Sequence, residues 1–289
     1  MRKRWHRQPL WLRRIELGLA LVLFACAAWG FGFEPSRLVQ RDYELALPRW
    51  SQQCDGLRID VVSDLHTGSP HNGVDNLDRI VRTLNASDSD AVLMAGDYVI
   101  LSVFLGTYVP PEVMAEHLRP LTARKPVYAV LGNHDWWKGG GKVRAALESS
   151  GVVVLENQSR KVALGKCDVW LTGIGDLWEG HPDMSRAFAG IDANAPTLAL
   201  THNPDLFPKV PKQASLLIAG HTHGGQVNLP LFGRLVVPSK LGDRYAVGHV
   251  VEGGRHLFVT PGIGTSILPI RFGVPPEISR LTLKLAVPQ

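Results

Sequence analysis

The sequence holds only three cysteines, Cys26, Cys54 and Cys167, with no close pair and no CxxC motif among them. A CxxC-type metal or redox site is therefore excluded. Cys54 and Cys167 are free to pair in an oxidising compartment or to stay as two isolated, partly buried thiols, and their spacing does not choose between these. Low-complexity tracts are missing, and no internal repeat recurs at a solenoid period. A surplus of one charge is missing from the body as well, although the formal net charge is +5. Six of the 31 Lys and Arg, namely Arg2, Lys3, Arg4, Arg7, Arg13 and Arg14, precede residue 15, which leaves 25 against 26 Asp and Glu. The body is thus close to neutral and lacks a basic groove that tracks phosphates, so no nucleic-acid partner is indicated.

What is present is a chain of 289 residues, 45% hydrophobic and 20% charged, enough for one large or two small domains with a full core. The basic head is followed by LGLALVLFACAAWGFGF, residues 17–33, which carries no charge. That length is at the short end of the roughly 17–25 residues that span a bilayer as a helix. The run is apolar on every face and follows a cationic cluster, which argues against a buried core helix. A secretory signal shares the layout, with Ala25, Cys26, Ala27 and Ala28 as small residues for a cleavage site. Trp29, Phe31 and Phe33 suit a membrane interface and favour an uncleaved anchor. Either reading keeps the Lys and Arg head, and with it the N-terminus, in the cytoplasm and places the body across the membrane.

Three segments follow from this pattern: a head with anchor or signal over residues 1–33, a linker and edge strand over 34–56, and a catalytic body over 57–289. Within the body, short apolar runs end in polar or glycine-containing turns: RIDVVSDLHTG, DAVLMAGDY, PVYAVLGNHD, DVWLTGIGD, TLALTHNP, SLLIAGHTH and HLFVTPGIG. Each has strand length and is rich in Val, Leu, Ile or Ala. Helical stretches such as VDNLDRIVRTLNA and GGKVRAALESSG separate some of them. Strands alternating with helices predict a mixed α/β fold whose sheets are covered on both faces.

Five of the runs end in side chains that bind cations: Asp64 and His66, Asp97, Asn133 and His134, His202, and His221 with His223. Ligand sites in α/β proteins form where the carboxyl ends of strands converge. Oxygen and nitrogen donors there suit divalent metals. Seven of these eight, all but His134, supply two ions with three or four protein ligands each, provided one carboxylate bridges. Such a pair clamps the attacking and leaving oxygens of an in-line displacement at phosphorus. The other histidines, His6, His71, His117, His181, His249 and His256, have no such context and are read as surface or core residues.

In the order DLH, GD, GNHD, H and GHTH, these residues resemble the calcineurin-like metallophosphoesterase superfamily. The C-terminal stretch TPGIGTSILPIRFGVPPEISRLTLKL and the apolar N-terminus are similar to its membrane-associated bacterial phosphodiesterase branch. The resemblance covers roughly residues 34–285. It implies a four-layer α/β/β/α sandwich of two mixed sheets, preceded by one hydrophobic helix. It also implies that Asp64, His66, Asp97 and His223 hold the first metal and that Asp97 bridges. Asn133, His202 and His221 complete the second site, and His134 binds the phosphate and protonates the leaving oxygen. The two ions are Mn, Fe or Zn, and a hydroxide between them attacks phosphorus. The implied activity is phosphodiester hydrolysis, with a phosphomonoesterase or a non-catalytic scaffold of the same fold as alternatives. The implied location is the bacterial inner membrane, with the catalytic body on its periplasmic side.

Two features depart from the family pattern. Many relatives carry a carboxylate three residues after the GD aspartate, where it orients the acid histidine; here that position is Ile100. Asp135, a backbone carbonyl or the substrate is expected to take that part. Secondly, residues 98–111 carry no charge, and Trp136 and Trp137 follow His134. These segments are either core and lid packing or the mouth of a site for a lipid-linked or cell-envelope phosphodiester.

Overall fold

The computed structural model describes residues 9–286, so His6 and the head cations Arg2, Lys3, Arg4 and Arg7 lie outside it. Helix α1 (Leu10–Ala28) continues through one π-helical turn to Phe33 and is exposed along nearly its whole length. By length and composition, the segment Leu10–Ser36 is long and apolar enough to cross a membrane.

The first sheet is built from β1 (Val39–Leu47), β2 (Leu57–Val62), β3 (Ala91–Met94), β4 (Val127–Ala129) and β5 (Val153–Val154). The second begins with β6 (Gln158–Leu164), β7 (Cys167–Gly173), β8 (Thr197–Leu200) and β9 (Leu216–Ala219). After a small ribbon of β10 (Asn228–Leu229) and β11 (Gly233–Arg234), β12 (Gly248–Glu252) and β13 (Arg255–Val259) complete it. The last strand, β14 (Glu277–Leu285), returns to the first sheet. The orders are β1-β14-β2-β3-β4-β5 and β12-β13-β9-β8-β7-β6. In the first, β2 to β5 run parallel; in the second, β13, β9, β8 and β7 do. The outermost strand β1 pairs parallel with β14.

Alternation along the strands decides the layers. Leu57, Ile59 and Val61 of β2 face Leu198, Leu200, Leu216 and Ile218 of the second sheet in one buried cluster. Their neighbours point outward: Val62, Val92 and Met94 pack under α2 (Val74–Ala86), α3 (Pro111–Thr122) and, beyond the short α4 (Asn133–Trp137), α5 (Gly140–Ser149). Outside the second sheet the cover is thinner, a single short helix α6 (Met184–Ala187) and the 3-10 turns Pro204–Lys209 and Gly242–Tyr245. The architecture is the expected α/β sandwich of two mixed sheets with helices outside. Cys54, just before β2, is bonded to Cys167 at the start of β7, with Cα atoms 4.4 Å apart. The bond ties one sheet to the other across the core.

Candidate metal centre

The sequence folds so that the carboxyl ends of the parallel strands of both sheets meet at one rim. From the first sheet, β2 delivers Asp64 and His66, β3 delivers Asp97, and β4 delivers Asn133 and His134. From the second, β8 delivers His202, and β9 delivers His221 and His223. All eight singled-out residues lie in this one cluster. All except His134 are at least 96% buried. His134 is partly exposed and borders, with Asn133, His221 and His223, a cavity of about 340 Å³.

The donor atoms overlap, with Asp64, His66 and His223, then His66, Asp97 and His134, then Asp64, Asp97 and His202 each close enough for an ion, and their shortest contacts fall into two groups that share Asp97. In the first, His66 Nε2 lies 3.1 Å from His223 Nε2, and His223 Nε2 lies 3.5 Å from Asp64 Oδ1. Asp97 Oδ2 closes this group, 3.5 Å from His66 Nε2. The same Oδ2 lies 3.3 Å from His202 Nε2, which is 3.1 Å from His221 Nδ1. Asn133 Oδ1 is buried and lacks a hydrogen-bond partner. His221 and His223 therefore diverge into different groups although only Thr222 separates them.

These residues fit metal ions. Among the described residues, Asp64 Oδ1 and Asn133 Oδ1, one beside each group, are buried without hydrogen-bond partners. Each such atom costs about 1–3 kcal/mol if nothing else rewards the arrangement. Burial drives the His66 and His221 imidazoles down to about 3 and His223 well below its ordinary value, so all three present lone pairs at neutral pH. Burial also raises Asp64 to about 6. Asp97 behaves differently: burial pushes it up, but His202, His134 and His66 together outweigh that and hold it well below the usual carboxylate range. Its partner His202 is pushed down by burial, yet Asp97, Asp64 and Asp176 lift it well above the ordinary imidazole value. Each therefore favours the charged form of the other, so the Asp97 carboxylate attracts positive charge at this point.

The backbone is strained at the same residues. Asp64, His66, Asp97, His221 and His223 all have φ between 40° and 70°. Non-glycine residues rarely adopt this left-handed region, and strain of this kind gathers at functional sites. Gly132 supplies the room: a Cβ there would lie 2.2 Å from Asp97 Oδ1. Gly262, with φ 67°, also lies close to Asp64, since a Cβ would stand 2.7 Å from the aspartate Cβ.

Several contributors escaped the sequence reading. Asp135 does not orient His134. Its two oxygens accept from the backbone N–H groups of Asp97, Tyr98, Val99 and Gly132, clamping the Asp97 turn to α4. His134 Nδ1 is left buried without a hydrogen-bond partner, while its backbone N–H donates to Asp97 Oδ1 at 2.9 Å. Arg271 is wholly buried and donates to the carbonyls of Pro261, Gly264 and Val274. It thereby fixes the loop whose Gly264 N–H bonds the Asp64 carbonyl at 2.7 Å. Trp178 stands edge-on to His221 with ring centres 4.6 Å apart and lines the cavity with Trp137. Its signal was available, because GDLW ends the β7 run. Trp136, by contrast, packs into the core under the first sheet rather than at the mouth. Tyr98, Val99 and Ile100 are likewise core residues; the uncharged segment reaches the cavity only at Leu101 and Ser102.

Comparison with known proteins agrees with this geometry. Residues 57–225, more than half of the chain, match the family described as calcineurin-like phosphoesterase. The phosphodiesterase YaeI of Escherichia coli is 35% identical over 198 residues, covering 67% of this chain and 70% of that protein. The uncharacterized metallophosphoesterase YkuE of Bacillus subtilis is 28% identical over 265 residues, 89% and 91% of the two chains. A zebrafish (Danio rerio) transmembrane protein with metallophosphoesterase domain is 30% identical over 285 residues, covering 93% of this chain and 62% of its own length. With donor groups that can hold metal at the strand ends and this match, the chain belongs to the calcineurin-like metallophosphoesterase family and is a hydrolase of phosphoester bonds.

Proposed function

We propose that this chain is a dinuclear-metal phosphodiesterase anchored in the bacterial inner membrane, with its catalytic body on the periplasmic side. The observation that carries the proposal is the sharing of Asp97 Oδ2 between two donor groups, 3.5 Å from His66 and 3.3 Å from His202. Asp64, His66, His223 and Asp97 would hold one ion, and Asp97, Asn133, His202 and His221 the other. Mn, Fe and Zn all suit this donor set. When bound, the pair supplies Lewis acidity and an activated water for in-line displacement at phosphorus.

The chain's own residues do the rest. His134 sits beside Asp97 with its Nε2 4.0 Å from Asp97 Oδ2 and its ring edge-on to His66. It faces the cavity, where it hydrogen-bonds the phosphate and delivers a proton to the leaving oxygen. Trp137, Trp178, Val236 and Ile267 give the cavity a wall that accepts an apolar substituent. A monoester does not need that space, which favours a diester, and YaeI is named a phosphodiesterase. The anchor reading draws on the apolar helix and the transmembrane relative. The Cys54–Cys167 bond suits an oxidising compartment.

The test compares the metal-loaded full chain on bis-p-nitrophenyl phosphate and p-nitrophenyl phosphate. The diester is expected to be hydrolysed with the higher kcat/KM. A monoester preference would move the chain to the phosphomonoesterases.

A further inference from the structure

Exposed apolar side chains of the body are concentrated on three loops around the cavity mouth. Leu105 at the tip of the first loop is 77% exposed, Leu231 and Phe232 of the second are 102% and 81% exposed, and Ile267 of the third is 75% exposed. Residues 98–111, 226–233 and 260–270, which form these loops, contain no charged residue. A soluble surface of this kind normally carries charge, and a contiguous bare apolar rim marks an interaction site.

The backbone makes the case sharper. Leu105, Leu231 and Ile267 have φ values of 62°, 71° and 63°. Bulky and β-branched residues in this region are genuine outliers. The fold therefore holds three large apolar side chains outward on strained tips, where water gives no return for either the strain or the exposure.

The three loops form one patch with the end of the anchor. Phe104 N–H donates to the Ile267 carbonyl at 3.0 Å, joining the first loop to the third. Ser266 N–H donates to Gln226 Oε1 at 2.6 Å, joining the second to the third. Arg271 N–H donates to the Gly30 carbonyl at 2.9 Å, and His71 Nε2 meets the Phe31 carbonyl at 2.9 Å. Ile267 is four residues from Arg271, so the cavity wall lies within about 14 Å of the residue that bonds the anchor's end. Trp29, Phe31 and Phe33 at that end are exposed aromatics of the interfacial type.

We infer that the three loop tips insert into the same bilayer that α1 crosses, so that the cavity opens onto the membrane and takes a lipid phosphodiester directly from it. The occupant of the rim is a lipid surface, because the rim is continuous with the anchor and free of charges that insertion would have to dehydrate. This rests on the anchored phosphodiesterase reading but adds a second, separate membrane contact. Leu101, Val236 and Ile267 then form a continuous apolar path from acyl chains to His134.

The full chain in nanodiscs of phosphatidylethanolamine and phosphatidylglycerol provides the test. In a Cys26→Ser background with the disulfide intact, nitroxides are attached at Leu105→Cys, Leu231→Cys and Ile267→Cys, with Val251→Cys on β12 as the aqueous reference. The three tips are expected to favour collision with oxygen over a nickel chelate, and Val251 the reverse. Tip labels as open to nickel as Val251 would overturn the inference. So would protection that appears in detergent and rises with protein concentration, which would assign the rim to a second copy of the chain. As a second readout, Leu105→Asp with Leu231→Asp should slow hydrolysis of a vesicle-embedded nitrophenyl phosphodiester by on the order of tenfold. The same variant should leave bis-p-nitrophenyl phosphate hydrolysis unchanged; equal rates on the embedded substrate before and after, or an equal fall on both substrates, overturns the inference. Failure of the unmodified chain on the soluble diester would instead strike the phosphodiesterase reading, while the label depths still decide the membrane contact.

Discussion

Two sets of residues in this molecule hold left-handed backbone at similar φ and differ in everything else. Asp64, His66, Asp97, His221 and His223 are buried, polar and convergent. Leu105, Leu231 and Ile267 are exposed, apolar and divergent. Strain of about 1–3 kcal/mol per residue persists only where the surroundings over-determine it. In the buried set the surroundings are visible: backbone clamps from Asp135, the Pro261–Gly264 turn held by Arg271, and donor atoms pointing at common centres. In the exposed set the backbone is held by loop hydrogen bonds such as that from Phe104 N–H to the Ile267 carbonyl, while the side chains stand largely in water. Identical backbone cost thus marks two different expected partners, a pair of cations and a lipid surface.

The largest effect tests what the buried set serves. His134→Ala is expected to lower kcat by about 10²–10⁴-fold, the usual worth of a general acid, while metal content stays at the wild-type value. Near-wild-type turnover would remove the acid role, and lost metal would make His134 a ligand.

Next comes the rigidity that the buried set shares and the tips do not. Cys54→Ser with Cys167→Ser opens the link between the two sheets that supply opposite halves of the donor set. The chain-entropy cost of a loop this long is about 4–5 kcal/mol, to be read as a lower unfolding midpoint in denaturant. An unchanged midpoint would mean that the sheets need no tie.

Burial alone does not make a ligand, and Glu156 sharpens that point. It accepts from the Leu131 N–H at 2.7 Å, its other oxygen is buried and unpartnered, and burial raises its pKa to about 8. A carboxyl whose folded pKa lies above its unfolded value binds an extra proton when folded. Its stabilising contribution is complete below about pH 4.5 and fades as pH climbs toward 8. Glu156→Gln should therefore gain Tm over the wild type as pH rises from about 5 to about 8. A Tm difference that does not change with pH would show that Glu156 stays ionised.

The smallest effect concerns the tips. Leu231→Gly should relieve left-handed strain and raise the stability of the detergent-solubilised chain by about 1 kcal/mol. A destabilised variant would mean that the Leu231 side chain packs on protein.

Much of the site was legible in the sequence because its chemistry is local. A strand that ends in Asp, His or Asn announces a donor at a sheet rim, and β2, β3, β4, β8 and β9 all do so. Helix α2 also coincides with VDNLDRIVRTLNA, one of the stretches read as helical. What was not legible depends on long-range closure. Nothing near Val39 says that β1 will pair with β14 at the other end of the chain. The Cys54–Cys167 pairing crosses 113 residues, and spacing cannot select it. Trp136 and Trp137 are adjacent, yet one enters the core and the other the cavity because α4 turns between them. Asp135 looked like a partner for His134, but the carboxylate faces four amides that exist only once β3 and β4 lie side by side. The strained apolar tips leave no trace in composition beyond an absence of charge.

The central claim is that two adjoining sites share Asp97, and metal stoichiometry addresses it most directly. Purified full chain, its His221→Ala and His223→Ala variants and an Asp97→Asn variant are to be loaded and assayed for bound metal by mass spectrometry. The account predicts two ions in the wild type, one in each histidine variant and fewer than one with Asp97→Asn. A single ion in the wild type, or two retained without Asp97, would contradict it.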